Sequence, residues 1–160
     1  MTSWQVGKGK IYTLLNNGEL EQVEANPGFA IELFQGATCH LVSVSGIIDF
    51  DSAGAFQLGY DAARKACTAL LAQQGLRSTR MGGHVAVAEA VRAQFNGPRG
   101  NTSLGRLTEL KRRRGESEYP SALTPSITWE DAAYCRGLAQ EIVDAVGVIL
   151  NSGRLGEFGH

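Results

Sequence analysis

Apolar residues spaced by threes and fours are the feature of this sequence that most limits its fold. From Phe56 to Leu70 the apolar positions are separated by 4, 3, 4 and 3 residues, which gives one helix face a stripe suited to a long neighbour. The segment from Ala30 to Val44 follows the same rule. No segment of comparable length alternates apolar and polar residues as a half-buried strand does. The sequence therefore predicts an all-α, up-down bundle of four main helices plus short helices.

Capping residues predict where these helices begin and end. Asn26 before Pro27 is a typical helix start, Gly75 is placed as a left-handed C-cap, and Thr128 with Asp131 resembles a capping box. Gly115 is expected to end a helix, and NGPRGN at 96–101 predicts a loop. Helices are predicted over 10–15, 27–45, 52–74, 83–95, 104–114 and 128–150. The chain divides into an N-terminal short helix and loop (1–26), the bundle (27–152) and a C-terminal tail (153–160).

Composition limits the function classes. The chain has 160 residues, about one domain, with 43% apolar and 19% charged residues, an ordinary balance for a soluble protein. Lys plus Arg (15) nearly cancels Asp plus Glu (16), so any site for a polyanion has to be local. The N-terminus lacks a signal core and no apolar run approaches the ~18 residues of a membrane span, so we expect a cytoplasmic chain with no membrane partner.

Cysteine and histidine spacing gives no sign of a metal or cofactor. The three cysteines form no CxxC, and the three histidines form no HxxxH or HExxH. GxSxG and GxGxxG are also absent. We therefore expect no metal and no cofactor, and we interpret the cysteines as reduced, small core residues.

The stretch LKRRRGESEYP at 110–120 carries the most chemical information. Lys111, Arg112, Arg113 and Arg114 are four consecutive cations, which on a helix cover every face, so one or two of them must point toward the bundle or a partner. A break at Gly115 would bring the Arg114 guanidinium and the Tyr119 phenol into one pocket suited to phosphate. The alternative is a solvated run with local Glu–Arg pairs.

Two further groups of polar residues allow a structural and a functional interpretation. Asp61 precedes Arg64 by three and Lys65 by four residues, a spacing that either stabilises a helix or lets Asp61 orient Arg114 or a ligand. His84 follows Gly82-Gly83 near a helix start. It is either a packed histidine or a general acid or base at neutral pH, and the glycines offer a weak signal for a phosphate cradle.

Residues 51–95, with YDAARKA, QGLR and GGH, and the stretch 110–120 together resemble a bacterial, often actinobacterial, branch of the HEPN-domain family. The resemblance covers about 27–150 and implies a helical bundle that forms a homodimer. Many HEPN domains are metal-independent ribonucleases of toxin–antitoxin and phage-defence systems, and others bind nucleic acid or nucleotides without catalysis. The family's active motif is an Arg, a polar residue, a few more residues and then a His. Arg114 matches the Arg, whereas Gly115 stands in the position of the polar residue and Tyr119 in that of the His.

This resemblance implies roles for individual residues. Arg114 would bind the RNA phosphate, with Tyr119 as acid or stacking group. Electrostatic binding of the nucleic acid would come from Lys111, Arg112 and Arg113. The residues that support the site would be Asp61, Arg64, His84 and Glu118. The implied partners are RNA, a second copy and a nucleotidyltransferase-type antitoxin.

Three functions remain open from the sequence. The first is an RNA-directed HEPN-like protein that acts as a metal-independent endoribonuclease. The second is a non-catalytic HEPN dimer that binds a nucleic acid, a nucleotide or a protein. The third is a small-ligand-binding bundle with a groove around Tyr60, Tyr119 and His84.

Overall fold

Six α-helices, a 3₁₀ turn and one two-stranded sheet make up the part of the chain that the computed structural model describes, residues 3–95, 102–119 and 121–159. The loop predicted over 96–101 lies outside these residues. In chain order the elements are α1 (Lys8–Asn16), β1 (Leu20–Gln22), α2 (Pro27–Ile47), α3 (Ser52–Gln74), β2 (Leu76–Ser78), α4 (Gly83–Phe95), the 3₁₀ turn (Thr102–Arg106), α5 (Leu107–Glu118) and α6 (Trp129–Asn151). The all-α class predicted from the spacing of apolar residues is confirmed, with the small sheet as an addition.

The helix ends follow the capping chemistry of the sequence. The Asn26 side chain accepts a hydrogen bond from the Phe29 amide at 2.9 Å, and Thr128 forms a reciprocal capping box with Asp131. Gly75 ends α3 at φ +75°, where a Cβ would also meet the Val23 carbonyl oxygen. The caps predicted at these three positions are confirmed.

Helix α3 is the centre of the core, because it packs against α2, α4, α5 and α6. Of its 23 residues, 13 are buried, many of them alanines that allow close helix approach. Gly59 lies against α6, where an added Cβ would come within 3.0 Å of Cys135 Sγ. The chain joins α2 to α3 through residues 48–51, and this tight turn makes an antiparallel hairpin.

Both terminal segments contribute to this core. Ile11 and Leu14 of α1 are buried, and so are Leu155 and Phe158 near the C-terminus. The two ends of the chain meet where the Trp4 amide donates to the Glu157 carbonyl. Strands β1 and β2 pair antiparallel, but each spans only three residues, too few to show strand alternation in the sequence.

Three expectations of the sequence analysis are wrong. Gly115 lies inside α5, which continues to Glu118 because ion pairs from Arg113 to Glu116 and from Arg114 to Glu118 span it. Cys39 is exposed, so only Cys67 and Cys135 are core cysteines. The sequence also predicts an apolar stripe on α6 through Tyr134, Leu138, Ile142, Val146 and Ile149, but Tyr134 is 53% exposed.

No helix within the described ranges is both long and apolar enough to cross a membrane.

Candidate functional site

Tyr60 joins three helices at the best-defined polar cluster of the described chain. This residue of α3 is fully buried, and its hydroxyl oxygen lies 3.3 Å from Nδ1 of His84 on α4. The guanidinium of Arg114 on α5 lies over the Tyr60 ring, with 5.3 Å between Cζ and the ring centroid. The structure therefore brings Arg114 and His84, which are distant in sequence, to one aromatic side chain.

Four charged residues complete this site, which we call the Tyr60 cluster. Asp61, Arg64 and Lys111 act electrostatically on His84, as Arg114 does. Glu118 pairs with Arg114. The cluster thus consists of Tyr60, Asp61, Arg64, His84, Lys111, Arg114 and Glu118. Three cations against two carboxylates give it a net positive charge in a chain whose net charge is −1, which suits a local anion site.

Arg114 is held in place from two sides. Its Nη1 donates to Glu118 Oε2 at 3.0 Å across one helical turn, and its planar group lies over the Tyr60 ring. The side chain is only 22% exposed. A guanidinium oriented in this way loses little conformational entropy when it binds an anion, and its planar fork of donors matches phosphate oxygens.

His84 is a neutral base at physiological pH. Its pKa lies below 6.5 because of burial first, then because of the cations Arg64, Arg114 and Lys111, with Asp61 opposing them. Burial raises the pKa of Tyr60 to about 12, so the phenol keeps its proton. In the tautomer in which Nδ1–H donates to the Tyr60 hydroxyl oxygen, the lone pair of Nε2 is free to accept a proton.

Asp61 lies with Arg64. Its Oδ1 is 3.6 Å from Arg64 Nε, an ion pair beyond ordinary hydrogen-bond distance. The Arg64 Nε–H is buried and has no hydrogen-bond partner among the residues described. Asp61 thus pairs with Arg64, and its predicted role in orienting Arg114 or a ligand stays a prediction.

Tyr119 does not share a pocket with Arg114 through a bend. Helix α5 is continuous at Gly115, and residues five positions apart on a helix diverge by about 140°. The Tyr119 side chain, at the C-terminal end of α5, is 79% exposed. The predicted convergence of guanidinium and phenol is therefore wrong, and a role for Tyr119 in the site remains a prediction.

Arg112 and Arg113, one residue apart, have different environments. Arg113 donates to Asp131 Oδ2 and to Glu116 Oε2, both at 3.1 Å, and to the Pro125 carbonyl. The pair with Glu116 is a local Glu–Arg pair of the kind that the alternative interpretation of the charge run expects, whereas the bonds to Asp131 and Pro125 tie α5 to the segment that starts α6. Arg112 is exposed. The nucleic-acid roles predicted for Arg112 and Arg113 remain predictions.

Tyr60 holds the centre of the cluster, a role that the sequence indicates only in part. It falls in the apolar stripe of α3, and the third function open from the sequence places it in a groove with His84, but no motif pairs it with Arg114. Gly82 makes a packing contact, and the phosphate cradle predicted for Gly82-Gly83 stays a prediction. A Cβ at Gly82 would clash with the Glu19 carbonyl oxygen, so glycine is needed for the close approach of the two segments.

The comparisons with known proteins give no relative: no family model, no curated protein and no solved structure matches this chain. Within the described ranges, no group of three or more His, Cys, Asp or Glu side chains is arranged to hold a metal ion.

Proposed function

We propose that this chain is an RNA-directed, HEPN-like protein that cleaves RNA without a metal ion, with the Tyr60 cluster as its reaction centre. The observation that carries the proposal is the position of a neutral His84 imidazole and the Arg114 guanidinium on the same buried Tyr60 side chain. A base and a fixed cation on one side chain are suited to phosphodiester transfer, in which a hydroxyl loses its proton and negative charge builds up at phosphorus.

The chemistry assigns one role to each group. Neutral His84 takes the proton of a ribose 2′-hydroxyl, and the 2′-oxygen then attacks the adjacent phosphorus. Arg114 stabilises the negative charge that builds up on the phosphorane, and Arg64 and Lys111 add positive potential. The P–O5′ bond breaks, the leaving oxygen takes a proton from water, and the products are a 2′,3′-cyclic phosphate and a 5′-hydroxyl. His84 then returns its proton to solvent.

The proposal is tested with purified protein and structured RNA in EDTA. We expect cleavage by the native chain, and a loss of at least about a hundredfold in Arg114→Ala and His84→Ala, because each removes a group that acts in the transition state. Arg154→Ala removes an exposed cation from the C-terminal segment and serves as the control that retains activity. Unchanged cleavage by folded Arg114→Ala and His84→Ala would overturn the proposal.

A non-catalytic HEPN-like dimer is the second candidate function, and the Arg114–Glu118 ion pair favours it. A carboxylate on Arg114 competes with phosphate, and the resemblance places a tyrosine where a catalytic histidine is usual. In that case the homodimer binds a nucleic acid, a nucleotide or a protein such as a nucleotidyltransferase antitoxin. The same assay separates the two, since this candidate predicts that the native chain forms a dimer but does not cleave RNA.

A further inference from the structure

A second pair of an imidazole and a cation lies next to the Tyr60 cluster. His40 on α2 and Lys65 on α3 approach to 2.7 Å between Nε2 and Nζ, and both side chains are half-buried. Because an ammonium group is a donor only, Nε2 of His40 is the acceptor and its ring is neutral. The pKa of His40 is lowered in agreement, first by burial and then by Lys65 and Arg64, with Asp61 opposing.

The Lys65 side chain is held at the seam between α2 and α3. Its stem passes Gly36 of α2, where an added Cβ would lie 3.9 Å from Lys65 Cδ. The Lys65 stem therefore lies along the α2 backbone at an ordinary van der Waals distance. The 2.7 Å contact with His40 holds the ammonium at this seam, where a freely mobile lysine would extend into water.

This fixed ammonium lacks a counter-ion in the described chain. No described carboxylate lies within 4.0 Å of Lys65 Nζ, and Asp61, one turn earlier, pairs with Arg64. The bond to His40 uses one of the three N–H groups of the Lys65 ammonium, and the neutral His40 ring does not compensate the positive charge. With Lys65 added, the site holds four cations against the two carboxylates Asp61 and Glu118. A half-buried cation bonded to a neutral ring is suited to an incoming anion.

The two imidazole–cation pairs are linked through charged residues of α3. Asp61 and Arg64 act electrostatically on both His40 and His84, so both rings lie within range of the same two charges. Asp61 and Lys65 are four residues apart on a helix, about 6 Å along its axis. Lys65 therefore lies on the same side of α3 as Asp61, a member of the Tyr60 cluster, and contacts α2 through His40.

We propose that His40 and Lys65 form a second phosphate subsite, which binds a neighbouring phosphodiester of the same RNA strand whose scissile phosphate lies at the Tyr60 cluster. This inference rests on the proposed function. The Lys65 ammonium donates its remaining N–H groups to the phosphate oxygens. The subsite contributes to RNA affinity and to the position of the strand, while bond cleavage stays at His84 and Arg114.

The first test measures RNA affinity against salt for Lys65→Gln, which removes the charge and keeps most of the stem. We expect about a tenfold loss of affinity and a decrease of about 0.7 in the slope of log K against log salt, the value for one single-strand phosphate contact. Lys8→Gln makes the same change at an exposed position of α1 and should leave both unchanged. An unchanged slope in Lys65→Gln, with binding still lost in Arg114→Ala, overturns the subsite and leaves the proposed function intact.

The second test does not depend on RNA. Inorganic pyrophosphate is titrated into the native chain while the ring resonances of His40 are followed by NMR. We expect the His40 resonances to shift in the native protein and to stay unchanged in Lys65→Gln. A shift without any RNA binding would reject the proposed function and keep the anion subsite. Absence of a His40 shift in the native protein would overturn the subsite.

Discussion

The Arg114 guanidinium lies over the ring of Tyr60, 5.3 Å from Cζ to the ring centroid, and the hydroxyl of that ring reaches Nδ1 of His84 at 3.3 Å. One fully buried side chain thus positions both groups to which we assign chemistry. Because Tyr60 keeps its proton, with a pKa of about 12, it holds His84 without competing with it as a base. Tyr60 is therefore a positioning residue, and its ring and its hydroxyl have separable effects.

Tyr60→Phe separates these effects, because it keeps the ring beneath Arg114 and removes only the bond to His84. We expect a loss of about 1 kcal/mol in the free energy of unfolding, typical of one hydrogen bond. RNA affinity should change little, whereas the cleavage rate should fall because the His84 ring loses its orientation. Urea denaturation, RNA binding and single-turnover cleavage measure the three quantities. Equal losses in affinity and in cleavage rate would contradict the role of the hydroxyl in orienting His84.

Stability should fall with acidification because His84 and His40 have lowered pKa values. Between these values and 6.5 the unfolded chain binds more protons than the folded one, so the free energy of unfolding decreases as pH falls through this window. Above it, both rings are neutral in either state and the contribution is fully present. Urea denaturation at about pH 7.5 and about pH 5.5 gives the slope.

His84→Gln is the matched variant, since it retains a polar side chain that does not titrate. We expect its unfolding free energy to vary less between the two pH values than that of the native chain. NMR titration of the native His84 ring should place its midpoint below 6.5. An equal pH slope in the variant, or a midpoint above 6.5, would show that the ring is not shielded as the structure indicates.

Alanine substitution of Arg113 should lower mainly stability, whereas alanine substitution of Arg112 should lower mainly RNA binding. Arg113→Ala breaks the bonds to Asp131, Glu116 and the Pro125 carbonyl and leaves Asp131 without its guanidinium. We expect a loss of about 1–2 kcal/mol in unfolding free energy, against at most about 0.5 kcal/mol for the exposed Arg112→Ala. If these two cations contribute equally to RNA binding, both variants will lower the slope of log K against log salt by the same amount. The structure leads us to expect the decrease in Arg112→Ala alone.

The fold was predictable to the extent that it depends on local chemistry. The spacing of apolar residues and the capping residues act on neighbouring positions in the chain. The bounds of α3 therefore follow from its caps, Asp51 and Gly75, and the start of α6 follows from Thr128 with Asp131. The short sheet is different. It depends on pairing of residues that are distant in sequence, Leu20 with Ser78, and three residues show no usable period.

The site was predictable only in its parts. Arg114, His84 and Asp61 were identified by residue type, but which of them meet depends on how α4 and α5 pack on α3. Local reasoning about Gly115 favoured a bend and therefore Tyr119 as the partner of Arg114. The ion pairs that span Gly115 keep α5 continuous. The contact with the Tyr60 ring, which depends on the packing of α5 on α3, directs Arg114 to α3 instead.

The thiols should divide into one reactive and two protected groups. Cys39 is exposed on α2, whereas Cys67 and Cys135 are buried, and burial raises the pKa of each of these two to about 12. We expect one equivalent of a thiol reagent to react rapidly with the native chain and three with the denatured chain. A Cys39→Ser variant should show no rapid phase. Rapid reaction in that variant would mean that the core opens around α3.

Gly115→Ala tests directly whether α5 is continuous. Gly115 has a Cβ position with no atom within 4 Å and lies inside the helix, so alanine removes backbone entropy from the unfolded chain without a clash. We expect the free energy of unfolding to rise by about 0.5–1 kcal/mol, the usual difference between the two residues in a helix. RNA binding and cleavage should stay unchanged, because the orientation of Arg114 does not depend on a bend.

Gly75→Ala is the matched control for the same change at a true helix end. There the backbone is left-handed, at φ +75°, and the Val23 carbonyl oxygen would lie 2.7 Å from the new Cβ. Alanine should therefore lower the unfolding free energy, opposite in sign to its effect at Gly115. If Gly115→Ala also destabilises the protein and lowers RNA affinity, then α5 bends at that residue, and the pairing of Arg114 with Tyr60 and Glu118 is not the state that binds RNA.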